Sequence, residues 1–156
     1  MLGGALTESS RLLVNGEGAA GVTAAIEALR SGCNAIDAVE KGIRPVEDDP
    51  QVRSVGRGGI PNLAGEVECD ASIMEGHGRQ SGSVAGLQQA RHAITVARAV
   101  MEQLPHAFLA GKGALQFARE VGAEMAEMLT PEARATYKKA LRRALSPTFA
   151  PDHDPC

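Results

Sequence analysis

The first part of the chain combines one short apolar run with two stretches of helical periodicity. Residues Arg11–Asn15 form an apolar run that stops at a glycine, a pattern that predicts a buried strand. From Ala19 to Leu29 the apolar residues recur at helical spacing, which predicts a helix. A second helix is predicted over Ala35–Ile43, with Asn34 as its N-cap and Pro45 closing it.

The middle of the chain changes from a polar loop to an alternating strand. Glu47–Asn62 is rich in glycine and carries two prolines, so it predicts a long irregular loop, and such loops are usually functional or disordered. Glu66–Met74 then alternates as a strand, and Ser81–Leu87 predicts a second strand joined to it through a hairpin at Glu75–Arg79. One face of the first strand should carry Val67, Cys69, Ala71 and Ile73.

The last part of the chain predicts three helices and one more strand. The helices are Ile94–Glu102, Gly113–Val121 and Glu132–Leu145, the last of them preceded by Thr130 as cap, and the strand is His106–Ala110. Strands and helices therefore intermix along the chain, which predicts a mixed α/β fold.

Composition narrows the class of protein. A chain of 156 residues with 44% hydrophobic and 22% charged residues is expected to form one globular domain, here residues 1–145, followed by a flexible proline-rich tail at 146–156. A net charge of -3 argues against a nucleic-acid partner. No segment is apolar enough for a membrane span or a signal peptide, so we expect a cytoplasmic protein.

Several motifs suggest a site, and each has a structural alternative. Gly16–Gly21 matches the GxGxxG pattern of dinucleotide-binding turns, but no second strand with an acidic residue follows, so tight packing is the preferred interpretation. The carboxylates Glu47, Asp48 and Asp49 could do acid–base work or bind a cation, but no further carboxylate follows at ligand spacing, so a helix end followed by a solvated turn is the preferred interpretation. The histidines and the three cysteines lack ligand spacing, so no metal and no cofactor are expected.

Long segments of the chain resemble a known family. They look like the α subunit of the N-terminal nucleophile hydrolases of the asparaginase, glycosylasparaginase and isoaspartyl peptidase family. The segments that carry this resemblance are Ala35–Glu40, Val46–Pro50, Ser54–Asn62, Gly65–Gly76, Gly82–Leu87, Ile94–Arg98 and His106–Ala114. The form Ser-Val-Gly-x-Gly-Gly-x-Pro at Ser54–Pro61 is more similar to the glycosylasparaginase branch than to the plant-type isoaspartyl peptidases.

The resemblance implies both a fold and a reaction. The fold would be a four-layer αββα sandwich of which this chain forms about half. The partner would be a β subunit cut from the same precursor, in an assembly of the (αβ)2 type. The β subunit would begin with a threonine whose hydroxyl is the nucleophile and whose α-amino group is the base. No catalytic residue is then expected in this chain, and the substrate would be a small molecule or dipeptide with a β-aspartyl-type amide.

The resemblance also assigns site residues by position. The substrate-pocket wall would be formed by Asn15, Ser54, Gly58, Gly59 and Asn62, with Asn15 standing where glycosylasparaginases have a substrate-facing tryptophan.

Near the end of the sequence, His153-Asp154 is similar to the pair that precedes the catalytic threonine, although Pro155 and Cys156 follow it. We expect cleavage shortly after Cys156. One alternative is that Cys156 is itself an uncut nucleophile. Another is that the chain is a non-catalytic relative that acts as a binding or scaffold module.

Overall fold

A computed structural model describes residues 10–145, which form a three-stranded sheet packed against helices. The strands are β1 (Cys69–Met74), β2 (Ser81–Leu87) and β3 (Phe108–Ala110). The helices are α1 (Val22–Arg30), α2 (Ala35–Asp48), α3 (Ala93–Gln103), α4 (Gly111–Glu120) and α5 (Pro131–Ala144), and a short 3-10 helix at Glu17–Gly21 precedes α1. The predicted mixed α/β class is confirmed, whereas the four-layer sandwich remains a proposal.

The sheet follows the hairpin expected from the sequence. β1 and β2 pair antiparallel with Met74 opposite Ser81, and β3 adds parallel to β2 with Leu109 opposite Val84. The register of the hairpin shifts between Cys69 and Ala71, which marks a bulge. β2 is therefore the central strand.

The core lies between the sheet and the helices α3 and α4. The predicted inward face of the first strand is buried at Val67, Cys69 and Ile73 and partly buried at Ala71. The largest fully buried side chains are all aliphatic: Leu87, Ile94, Val84, Val96 and Val100. α2 packs against α3, and α1 packs against α2. Among the described residues no helix is both long and apolar enough to cross a bilayer.

Two predicted helix caps are confirmed, and one predicted helix end is wrong. The Asn34 side chain accepts a hydrogen bond from the backbone N–H of Asp37, and Thr130 caps α5 in the same way through Ala133. Pro45 does not end α2, which continues to Asp48. The proline removes one helical N–H, but burial of the next two residues, Val46 and Glu47, holds the last turn in place.

The strand predicted at Arg11–Asn15 is absent from the described residues. The segment pairs with none of the three strands, and the Leu13 side chain is 93% exposed. The pattern at Gly16–Gly21 therefore lacks the preceding strand that a dinucleotide-binding turn requires. Gly21 instead lies against the backbone of Gly42, so tight packing of the first helices explains that glycine.

The contact between β2 and α3 depends on a residue without a side chain. A Cβ atom on Gly82 would lie 2.2 Å from the carbonyl oxygen of Ala97 and 2.4 Å from the backbone nitrogen of Met101. We predict that Gly82→Ala lowers the free energy of unfolding by about 3 kcal/mol, because the helix must move away from the sheet. Urea denaturation measures this loss.

The matched control is Gly76→Ala at the hairpin turn, where a Cβ would meet nothing within 4 Å. Its expected change is within about 0.5 kcal/mol. Equal changes in the two variants would show that the contact between Gly82 and α3 does not limit stability.

Candidate functional site

A cleft of about 490 Å³ opens between the loop that follows α2, the start of β1 and the segment before α1. Three of the five residues predicted to form a pocket wall line it, namely Asn15, Ser54 and Gly59. They come from two segments that are distant in sequence, so the fold brings them together. The cleft is the largest grouping of the predicted site residues in the described part of the chain.

Hydrogen bonds fix the polar side of this cleft. The Ser54 hydroxyl donates to the Glu17 carboxylate over 2.6 Å, a length typical of a hydrogen bond to a charged acceptor. The Asn15 side-chain oxygen accepts from the backbone N–H of Gly18 over 2.8 Å. Glu17 also lines the cleft, and nothing in the sequence pattern pointed to its contact with Ser54.

The other two predicted wall residues lie outside the cleft lining. The backbone N–H of Gly58 donates to the carbonyl of Met128 over 2.8 Å, which ties the loop to the segment before α5. The Asn62 side-chain oxygen accepts from the backbone N–H groups of Ala64 and Glu66 and so closes a local turn. Both residues therefore stabilise the loop without lining the cleft.

Glu47 forms hydrogen bonds both to the loop that follows α2 and to the start of α3. One carboxyl oxygen accepts from the backbone N–H of Ile94 at the start of α3 over 3.1 Å, while its own carbonyl accepts from Arg57 over 2.8 Å. Gly56 lies so close to Glu47 that a Cβ atom there would be 2.1 Å from the Glu47 carbonyl oxygen. At φ 63° Gly56 also adopts a left-handed backbone conformation that favours glycine.

The environment of Glu47 changes its acidity. The residue is only 4% exposed, and this burial raises the pKa of its carboxyl from the usual 4.5 to about 7, more than the hydrogen bonds from Ile94 and Ala93 lower it. Its Oε2 atom has no hydrogen-bond partner. The expectation of a solvated turn at the three adjacent carboxylates is therefore wrong for Glu47.

Asp48 and Asp49 have structural roles. Asp48 pairs with Arg91 over 2.8 Å and with the ring of His92 over 3.1 Å. Burial opposes ionisation of Asp48, but the hydrogen bonds from Arg91 and His92 outweigh it and hold its pKa below the usual value. Asp49 accepts from the backbone N–H of Gln51. Within residues 10–145, no three acidic, histidine or cysteine side chains are placed to hold a metal ion.

Among the described residues that line the cleft, no hydroxyl or thiol is paired with a histidine. The hydroxyls of Ser54 and Ser72 contact Glu17 and Ser83, and neither contacts a histidine. The Cys69 thiol is buried, which raises its pKa to about 11, so it stays protonated at neutral pH. The predicted tail residues His153, Asp154 and Cys156 lie outside the described residues, as does the whole segment 146–156.

Comparison with known proteins gives the family. A family model described as asparaginase matches residues 10–155. The chain is 47% identical over 125 residues, 78% of its length, to N(4)-(Beta-N-acetylglucosaminyl)-L-asparaginase from Elizabethkingia miricola. It is also 47% identical over 94 residues, 60% of its length, to the isoaspartyl peptidase/L-asparaginase of Homo sapiens. A plant-type L-asparaginase from Thermococcus kodakarensis is 41% identical over 112 residues, 72% of the chain.

The matches cover 36%, 30% and 36% of these three relatives, so the chain spans about a third of the length of the curated proteins it matches. The family model, in contrast, matches nearly the whole chain, including every segment that lines the cleft. The chain belongs to the asparaginase family.

Proposed function

We propose that this chain is the α subunit of an autoprocessed hydrolase that cleaves β-aspartyl-type amides, such as asparagine, isoaspartyl peptides or N4-glycosylasparagine-like compounds. The observation that carries the proposal is the cleft walled by Asn15, Ser54 and Gly59 in a chain whose relatives are named for these activities. The same names favour a hydrolase over a scaffold module.

In this proposal the reactive group comes from the β subunit. Neither cleft-lining serine hydroxyl contacts a histidine, and in this proposal the nucleophile that attacks the amide carbon comes from outside residues 10–145. A threonine at the start of the β subunit supplies its hydroxyl, and its free α-amino group accepts the proton. Hydrogen-bond donors facing the developing oxyanion lower the barrier further. The described chain then contributes the wall that orients the substrate.

Exposed apolar side chains near the cleft support a partner on this side. Ile60, which lines the cleft, is 73% exposed, and Leu13, two residues before Asn15, is 93% exposed. Residues 11–15 have the apolar pattern of a strand yet find no strand to pair with among those described. A β subunit from the same precursor would cover these side chains and pair this segment, and two such pairs would give the (αβ)2 assembly.

The small polar side chain of Asn15 bears on the choice of substrate. It lines the cleft, at the position where the resemblance to glycosylasparaginases implies a substrate-facing tryptophan. We therefore favour asparagine and isoaspartyl dipeptides over glycosylated asparagine as substrates.

The proposal predicts two cleaved subunits and an amidase activity. Mass spectrometry of the protein expressed from its full gene should show two chains, the second beginning with threonine. The same preparation should release ammonia from asparagine and a free amino acid from isoaspartyl dipeptides. An intact, inactive species would contradict the proposal and favour the non-catalytic binding module.

A substitution of Ser54 tests whether the cleft wall contributes to catalysis. Ser54→Ala should lower kcat about tenfold, because it removes a hydroxyl that Glu17 holds in place over 2.6 Å. Steady-state kinetics with asparagine measure the effect. The control is Ser31→Ala, whose hydroxyl bonds only to backbone carbonyls and Cys33 at the end of α1. Equal values of kcat for both variants and the unmodified protein would show that Ser54 does not contribute to the site.

A further inference from the structure

A cysteine and a lysine lie in contact at the junction between α1 and α2. The Lys41 ammonium donates a hydrogen bond to the Cys33 sulfur, with 3.2 Å between Nζ and Sγ. The Ser31 hydroxyl lies 3.8 Å from the same sulfur. Neither Cys33 nor Lys41 lines the cleft. Because a thiol and an amine are both nucleophiles, the two side chains form a reactive pair outside the proposed site.

The backbone holds both members of this pair in place. Gly32 has φ 85°, and the N–H groups of Gly32 and Cys33 donate to carbonyls of the last turn of α1 over 3.1 Å and 3.0 Å. A left-handed glycine with these two bonds is the Schellman motif that ends a helix. The Asn34 cap then starts α2, and Lys41 follows about two turns later on the same helix. The contact between sulfur and nitrogen therefore joins two fixed parts of the backbone.

The surroundings of the pair favour oxidation of its sulfur. Lys41 forms no ion pair within residues 10–145, and neither does Arg44 one turn further along α2. Both line an open groove of about 610 Å³, through which a small oxidant can reach the half-buried Cys33. Partly exposed thiols beside cationic groups are the ones that peroxide oxidises most readily. The Cys69 thiol, in contrast, is buried.

We propose that hydrogen peroxide joins Cys33 and Lys41 by a covalent bond between sulfur and nitrogen. First, the Cys33 sulfur attacks the peroxide, so that an S–O bond forms, the O–O bond breaks and water leaves. The sulfur is oxidised by two electrons to a sulfenic acid, and the peroxide is reduced. The Lys41 amine, having released its ammonium proton to solvent, then attacks this sulfur. The S–N bond forms, the S–O bond breaks, and the departing hydroxyl takes a proton from the nitrogen and leaves as water.

The bond would tie the end of α1 to α2, the helix whose last turn carries Glu47. It closes a short loop of chain, and such a closure restricts the unfolded state more than the folded one. We therefore expect the melting temperature to rise by about 3 °C after oxidation. The inference goes beyond the proposed function, because it concerns a modification of residues outside the cleft.

Peptide mapping of the complete protein after treatment with hydrogen peroxide tests this inference. Trypsin cuts after Lys41 in the unmodified chain, whereas the bond between Arg44 and Pro45 resists it. Modification of Lys41 blocks the first cut, so the oxidised protein should give an uncut fragment 31–53, which contains no methionine. Its mass should be about 2 Da below that of the unmodified sequence, because the chain loses two hydrogen atoms. Dithiothreitol should restore the cut.

Three variants serve as controls for the fragment. Cys33→Ser removes the sulfur, and Lys41→Arg keeps the positive charge but replaces the amine, so neither should give the cross-linked fragment or the rise in melting temperature. In Lys41→Arg, dimedone should label the sulfenic acid of Cys33. Lys139→Arg, at an exposed lysine of α5, should behave like the unmodified protein.

Two results would overturn the inference. One is complete cutting after Lys41 in the oxidised protein, whether Cys33 is then unchanged or carries added oxygen. The other is an uncut fragment of higher mass than the unmodified sequence, because it would retain an oxygen atom that the direct S–N bond excludes.

Discussion

The attachment of the loop to the end of α2 through Glu47 is the contact on which the rest of the site depends. One residue joins three parts of the molecule, since its side chain holds the start of α3 and its carbonyl holds the loop at Arg57. Gly56 lies against the same backbone at a distance that excludes any side chain. Burying a carboxyl group for this purpose opposes its ionisation, and the raised pKa of Glu47 is the consequence.

This attachment determines which side chains line the cleft. With the loop held against α2, Ser54 and Gly59 face the segment that carries Asn15 and Glu17, and the start of β1 closes the third side. The resulting wall combines apolar side chains with carboxylates, and its serine hydroxyls contact no histidine. Such a wall fits the proposed role of binding and orienting a substrate, for which the proposal places the reactive group on a second subunit. The exposed apolar side chains on the same side are consistent with that division of labour.

Local signals in the sequence predicted much of the fold. The limits of β2, the caps at Asn34 and Thr130, and the buried face of β1 all follow from short-range patterns, and the structure confirms them. The wrong predictions concern long-range contacts. Pro45 stays inside α2 because later residues of the helix are buried, and the exposed run at Arg11–Asn15 is apolar without a strand to join. The buried Glu47 and the contact between Glu17 and Ser54 likewise depend on segments that are distant in sequence.

The pH dependence of stability tests the central role of Glu47 most directly. Because its pKa is about 7 in the folded chain and near 4.5 when exposed, the folded state retains a proton that the unfolded state has lost. The free energy of unfolding should therefore fall between about pH 4.5 and pH 7, by roughly 3 kcal/mol from this group. Glu47→Gln stays neutral, so the difference between the unmodified protein and the variant should change by that amount in urea denaturation across this range. A difference that is the same at pH 5 and pH 8 would contradict the account.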